Sequence, residues 1–474
     1  MTSRREFLRT LGAGAVLASP LGAACHRAGS AVIPSSPNAR GWDLVPEILA
    51  RIVPPKFPDR EFNIVKYGAA QGGVDCTEAI RRAIRACSDA GGGRVTVPAG
   101  RFLTGPIHLE SNVELHVMRG ATLAFTQDTK KYLPQVLTRF EGTELMGYSP
   151  LIYAYDKENI AVTGQGTLDG QAGDEYWWFM KGSAEHGWKT GMPNYDAARL
   201  RLLTMAEQKV PVSERVFGEG DYLRPSFIEP YRCRNVLIDG VTIVRSPMWE
   251  IHPTLCTNVT VRGVHIDSHG PNNDGCDPES CRDVLIDRCR FNTGDDCIAI
   301  KSGRNADGRR VNVPSENIVV RNCEMRDGHG GVTVGSEISG GCWNVFAYDC
   351  RMDSPILYSA LRLKNNAMRG GLLHDVYMRD VTVGQVSDSV MQIDFNYEEG
   401  NKGSFAPVAR NVELLRVTSR KSPYGVNLRG FPNAPIENVR VIDCRFDHVA
   451  KGNVVENVRG IEWTGTTVNG VPVK

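Results

Sequence analysis

Residues 283–291 read DVLIDRCRF, and the same pattern returns as NIVVRNCEM at 317–325, NVFAYDCRM at 344–352 and NVRVIDCRF at 438–446. Each copy opens on Asn or Asp, continues with alternating apolar positions, and carries a Cys followed two residues later by Phe or Met. In a strand, residues two apart share a face, so the Cys and the Phe or Met point the same way. Cys289, Cys323, Cys350 and Cys444 therefore read as stacked, buried, apolar thiols inside a repeating β-structure.

The mark recurs along most of the chain, at Asn112, Asn159, Asn235, Asn258, Asp283, Asn317, Asn344, Asp375, Asn411, Asn438 and Asn457. From Asn235 onward the intervals are 23, 25, 34, 27, 31, 36, 27 and 19 residues. Short strands at such intervals mean a solenoid or a propeller. The irregular spacing does not suit propeller blades. It suits the coils of a right-handed parallel β-helix, whose loops lengthen without disturbing the stacked strands. The fold class expected is all-β, with about ten coils and an Asn/Asp side-chain ladder at one turn. An N-terminal cap helix is expected at Glu78–Cys87, where Ala79, Ile80, Ala83, Ile84 and Cys87 make one apolar face. One long insertion, residues 171–230, breaks the repeat. It holds Tyr176, Trp177, Trp178, Trp188 and Tyr195 and a helical run at Ala197–Glu207. Such excursions usually sit on the binding face, and aromatic platforms suit sugars.

Residues 61–474 read as one catalytic domain. Ahead of it, residues 26–60 have the Pro- and Ser-rich composition of a linker, with one short helix at Val45–Ile52. Residues 1–25 look like a twin-arginine export signal. Arg4-Arg5 precedes an apolar run, Leu11–Leu21, too short to span a bilayer, and Gly22-Ala23-Ala24 offers a cleavage site. A periplasmic or extracellular location follows, with a lipid anchor at Cys25 as the lesser option and no other membrane contact. Export would suggest disulfides, but this signal moves folded proteins, which fits thiols buried beforehand. No Cys-x-x-Cys pair argues for zinc. Lys plus Arg is 55 and Asp plus Glu is 54, so no global field argues for nucleic acid. An acidic ligand must meet a local cluster of cations.

That cluster lies between Gly270 and Lys364. GPNNDGCDPES, NTGDDCIAIKSG and DGHGGVTVGS bring Asp274, Asp295, Asp296 and His329 in glycine-rich segments, and Arg362-Leu363-Lys364 follows. Carboxyl groups that donate and accept protons, one histidine and two cations suggest hydrolysis of a negatively charged sugar polymer. Arg362 and Lys364 share a strand face, and paired cations suit a carboxylate. Asp295 and Asp296 are neighbours, and on a flat strand they would diverge. A bulge at Gly294 is the expected remedy. Three clustered carboxylates cannot all ionise freely, so one pKa should rise. Asp277 reads as a structural carboxylate capping the turn before Pro278. His252, His265 and His269 read as ordinary structural histidines.

The segments Asn272-Asn273-Asp274, Gly294-Asp295-Asp296, Gly328-His329-Gly330 and Arg362-Leu363-Lys364 together resemble the family 28 glycoside hydrolases, the polygalacturonase family. The resemblance runs from about Phe62 to the C-terminus and is densest between Trp249 and Gly400. Asn273 and Leu363 depart conservatively from the commonest pattern. The resemblance implies hydrolysis of an α-galacturonosyl bond with inversion, with no metal and no cofactor. Asp295 would be the general acid, and Asp274 and Asp296 would hold and activate water. His329 would orient the acid, and Arg362 and Lys364 would bind the substrate carboxylate. Asn272 and Tyr397 are further substrate-binding candidates, with Lys301 and Arg304 less marked. Inversion asks for carboxyl groups roughly 6.5–9.5 Å apart. The long insertion and the NNDGCDPES wording favour exo action on a pectin-type galacturonan, and a capped β-helix is expected to be a monomer. Alternatives from the same residues are a rhamnogalacturonan hydrolase, a pectate lyase using Ca²⁺ on the three aspartates, and a non-catalytic carbohydrate-binding β-helix.

Overall fold

The computed structural model describes residues 41–474; the segment read as an export signal, residues 1–25, and its Cys25 lie outside them. The chain winds into a right-handed parallel β-helix with three sheet faces. The first face is a 13-stranded sheet from Glu61–Asn63 to Val458–Thr464. The second is also 13-stranded, from Gly100–Thr104 to Val471–Pro472, the last strand being antiparallel. The third runs from Ile107–His108 to Val449–Glu456. It thins to isolated bridges at Ile251, Thr254, Cys276 and Glu279.

The Asn/Asp mark explains the first sheet. All eleven marked residues take a left-handed φ, between 53° and 64°, at the corner that starts each strand. Asn and Asp tolerate this conformation better than other side chains. Their side chains also form the ladder: Asn159 donates to Asn112 at 2.9 Å, Asn235 to Asn159 at 2.8 Å and Asn258 to Asn235 at 2.8 Å. Thirteen strands exceed the coils expected because the first two corners lack the mark. Gly92, at φ +103°, takes the equivalent place before Gly93–Val97, and a Cβ there would lie 2.7 Å from that of Asn112.

An aspartate rung can accept but not donate, so Asp283 leaves Asn258 without a donor from the next coil. The N-terminal segment uses that break. Val53 donates its N–H to Asn258 Oδ1 at 3.0 Å, and Arg51 pairs with Asp283 at 2.8 Å. Helix α1, Leu44–Arg51, packs Val45 and Ile48 on Val319, Phe346 and Tyr377. The helix is where its apolar residues predict. Residues 41–53 nonetheless lie against the outer face of the first sheet, a contact that linker composition did not disclose. Helix α2, Thr77–Asp89, caps the first coils with the expected apolar face.

The core runs the length of the solenoid. Cys289, Cys323, Cys350 and Cys444 are at most 2% exposed. All twelve described cysteines are buried free thiols, and a second stack runs through Cys233, Cys256 and Cys281, in which Cys233 N–H donates to Cys256 Sγ and Cys256 N–H to Cys281 Sγ, each at 3.4 Å.

Two excursions leave the corner between the second and third faces. One is the hairpin Val136–Phe140/Thr143–Gly147, which the repeat pattern did not signal. The other fills residues 170–227 and contains helix α3, Asp196–Glu207. Of the five aromatic residues marked in this insertion, Trp177, Trp178 and Tyr195 are structural, while Tyr176 is exposed. Trp177 is 1% exposed against Tyr132 and Tyr148, Tyr195 packs on Phe140, and Trp178 donates to Ser246 O. Burying these rings anchors an excursion that otherwise has little regular structure.

Candidate active site

The same corner, two to five coils further on, holds the acids. Asp274 follows the second-face strand His265–Ser268. Gly294-Asp295-Asp296-Cys297 links Arg290–Thr293 to Ile298–Ile300, and His329 precedes Val332–Val334. Asp295 and Asp296 thus sit on the bend between two sheets, not on a bulged strand, and both reach one cleft. Gly294 is needed for close approach, since a Cβ would run into Gly270 O of the preceding corner. Gly330 is needed for the same reason: a Cβ would clash with Thr333 Oγ1 and lie 2.9 Å from Asp296 Oδ1.

One oxygen from each of Asp274, Asp295 and Asp296 falls within 4.8 Å of the others. This is tighter than the separation expected for inversion, because adjacent corners stack at the spacing of neighbouring strands. The cleft they face encloses about 850 Å³. Arg362 and Lys364 rise from the third-face strand Ser359–Lys364. Lys364 Nζ donates to Asp296 Oδ2 at 2.6 Å, Thr333 Oγ1 to Asp296 Oδ1 at 3.0 Å, and Arg362 Nη1 stands 3.8 Å from Asp296. The Tyr397 ring lies 5.2 Å from Lys364 Nζ and 5.7 Å from the Arg362 guanidinium. Asn272 lines the cleft beside Asp274. All eight sequence candidates are brought together.

The cluster is divided electrostatically. Burial, then the charges of Asp277 and Asp295, push the Asp274 carboxyl well above its usual range against the pull of Lys301. Burial acts on Asp295 in the same direction, but the His329 hydrogen bond and charge, with Lys364 and Lys301, hold it below the usual range. His329 Nδ1 lies 2.8 Å from Asp295 Oδ1, and that bond raises the imidazole to about 9. The group whose pKa rises is therefore Asp274, and the proton near Asp295 resides on His329. Asp295 Oδ1 also accepts from Asp296 N at 3.0 Å, while Oδ2 accepts from no protein donor.

Behind the acids lies a layer that sequence reasoning undervalued. Lys301 is 3% exposed, with Nζ 3.5 Å from Asp274 and from Asp277, 3.4 Å from Glu337 and 4.5 Å from the Trp249 ring centre. Asp277 makes no capping hydrogen bond; it is fully buried, and burial drives its pKa up against Lys301. Arg304 pairs with Glu141 and Glu337 at 3.2 and 3.3 Å. Glu141 at the hairpin tip, with Lys181, His186 and Arg199 of the insertion, lines one part of the cleft. His269 belongs to its rim, 3.3 Å from Asp327, and is not buried. His252 is structural as expected, buried between Glu229 and Glu279. Glu337 carried no motif; its signal was the unpaired cation pattern Lys301-x-x-Arg304 one coil earlier.

The carboxylate cluster has the oxygen donors of a divalent-cation site, but Lys364, Lys301 and Arg362 already stand against those oxygens. The donor set does not fit a Ca²⁺ ion.

Comparison with known proteins agrees with this geometry. The family model described as glycosyl hydrolases family 28 matches residues 219–467. A solved structure of a hyperthermoactive exopolygalacturonase from Thermotoga maritima is 46% identical, covers 91% of this chain and 96% of that one, and superposes with a TM-score of 0.88. An exo-poly-α-D-galacturonosidase of Dickeya chrysanthemi is 26% identical over 72% of this chain and 58% of that protein. A probable polygalacturonase of Vitis vinifera is 28% identical over 86% and 77%. The chain belongs to the glycosyl hydrolases of family 28.

Proposed function

We propose that this glycoside hydrolase removes galacturonate units from the end of a pectin-type galacturonan. The supporting observation is the pairing of a carboxylate triad with Arg362 and Lys364 in one cleft, in a chain 46% identical to an exopolygalacturonase. The exo mode is supported by the hairpin tip and insertion, whose Glu141, Arg199 and Lys181 crowd one part of the cleft.

In this reading the His329–Asp295 pair holds one acid proton: it passes from the imidazolium to the Asp295 carboxylate, the carboxylic acid so formed gives it to the leaving oxygen, and solvent recharges His329. Water lies between Asp274 and Asp296. Asp296, ion-paired to Lys364, accepts its proton, and neutral Asp274 orients it. A covalent route would need a free carboxylate nucleophile. Asp296 has both oxygens engaged, burial favours the neutral form of Asp274, and Asp295 is committed to His329 as the acid, so inversion is the better reading despite the short spacing. The twin arginines at residues 4–5 support action outside the cytoplasm, and reduced thiols buried in a folded core are compatible with that route.

The test is product analysis of the purified chain on polygalacturonate, beside Asp295→Asn and with chelator. Saturated monogalacturonate, unaffected by chelator and absent with the variant, is expected. An oligomer ladder would replace exo by endo action, unsaturated products would mean a lyase, and cleavage of rhamnogalacturonan alone would change the substrate.

A further inference from the structure

Among the described residues five arginines are buried. Four sit against carboxylates: Arg139 on Glu279 at 3.0 Å, Arg215 on Asp307 at 2.7 Å, Arg304 on Glu141 at 3.2 Å and Arg369 on Glu398 at 2.6 Å. Arg224, at the end of the long insertion and 2% exposed, is the exception. Its Nη1 donates to Pro247 O at 2.9 Å and Pro271 O at 2.7 Å, its Nη2 to Asn272 Oδ1 at 2.7 Å, and its Nε is buried without an acceptor. A buried charge without a counter-ion is costly. Burial lowers this guanidinium to about 10 against the more distant Glu141 and Asp295, neither of which pairs with it, so it stays charged at neutral pH.

The three bonds fix the corner that carries Asp274. They also settle the orientation of an amide. A guanidinium only donates, so Asn272 must turn its oxygen to Arg224. The amide nitrogen is then left for the cleft that Asn272 lines, and no protein group accepts from it. Asn272 is held at φ +57°, a conformation Asn and Asp accept with least strain.

We infer that Arg224 is a positioning residue for anion recognition: it holds Asn272 as an N–H donor into the cleft and places behind it a positive charge whose missing counter-ion is a uronate carboxylate of the substrate. The inference rests on the galacturonan reading above. It adds a source of charge selectivity, supplied by the insertion, to Arg362 and Lys364.

The first test is Asn272→Asp in the full chain. Aspartate tolerates the left-handed backbone, pairs with Arg224, cancels the charge and replaces the donor by an acceptor. With digalacturonate, KM should rise roughly tenfold or more, the loss of one charge-assisted hydrogen bond, and kcat should fall by less than KM rises. The preference for digalacturonate over its methyl ester should shrink, and the melting temperature should hold or rise. Arg224→Met should move KM and the preference in the same direction. A KM within about twofold of wild type for Asn272→Asp, or an unchanged preference between acid and ester, would overturn the inference and leave Arg224 a purely structural anchor. A wild-type protein that cleaves no galacturonide removes the functional reading itself, and is recognised before any variant is made.

Discussion

Replacing Lys301 with Met should destabilise the protein in a way that depends on pH. Lys301 Nζ is the common cation of Asp274, Asp277 and Glu337, at 3.5, 3.5 and 3.4 Å. The first two carboxyls are pushed up by burial, so they hold their charge less firmly than Glu337 does. Glu337 differs. Burial raises it, yet Lys301, Arg304, Arg369 and Lys364 hold it well below the usual range, so it is ionised. At an effective dielectric near 20, an ion pair at this distance has a gross attraction of about 5 kcal/mol. Arg304 remains 3.3 Å away in the variant and offsets part of the loss. Breaking a buried pair costs about 3–5 kcal/mol, and we expect the lower half of that range. With an unfolding entropy of roughly 0.9 kcal/mol/K for a chain of this size, the melting temperature should fall by about 3–4 °C. Glu337 has a depressed folded pKa, so its contribution is complete above the unfolded value of about 4.3 and vanishes as pH falls through the folded one. The Lys301 contribution is complete below about 10.4. The deficit should therefore be full between pH 5 and 9 (roughly, from those two limits) and shrink in acid. Calorimetry of both proteins across pH is the assay. No deficit at neutral pH, or a deficit equally large in acid, would refute the reasoning.

Asp295→Asn should lower kcat at least about 10²-fold, as expected for loss of a general acid, with little change in melting temperature, read by reducing-sugar release. The alkaline limb of kcat/KM should fall between about pH 6.5, the free imidazole value, and about 9, the value Asp295 imposes on His329, and His329→Ala should abolish that limb. Gly330→Ala, whose Cβ meets Thr333 Oγ1 and Asp296 Oδ1, should lower kcat by roughly 10²-fold in the same assay. Proton NMR of the first product should show inverted β-galacturonate; an α-product would make one of the closely spaced carboxylates a nucleophile.

The regularities of the fold were readable because they repeat. Eleven Asn or Asp corners, the Cys-x-Phe/Met faces and the four short motifs are each weak singly and consistent together. Of the two coils without the mark, the one opening at Gly93 uses Gly92 at its corner instead of Asn, and the one opening at Glu61 has neither. The hairpin at 136–147 was invisible because it interrupts no strand pattern and carries no motif. In the site, Asp274, Asp295, Asp296, His329, Arg362 and Lys364 were legible by residue type and order. Their division of charge was not, because it depends on which partners burial leaves to each. His329 touches Asp295 alone among the three acids, Lys364 touches Asp296, and Asp274 shares Lys301 with two other carboxyls. Glu337 and Arg224 were illegible for the same reason: each matters through a partner many residues away.

Parallel register turns sequence order into spatial order. Ile251, Cys276, Ile298, Val332 and Leu361 pair in succession on the third face. The residues two places earlier, Trp249, Asp274, Asp296, Gly330 and Ser359, consequently stand in one row at the corner. Trp249 walls the row at one end, two carboxylates follow, and Gly330 leaves space where a third side chain would strike Asp296. Unequal intervals between these residues do not matter, because extra length is expelled as loops while the row keeps strand spacing. The reacting groups, with Arg362 and Lys364, are thus fixed by the stacked backbone, whereas the further cations near the cleft, Arg199, Lys181 and the buried Arg224, come from an excursion free to vary in length. The motif residues and these added cations sit on parts of the chain under different physical constraints, which is why the motifs announce the first and are silent about the second.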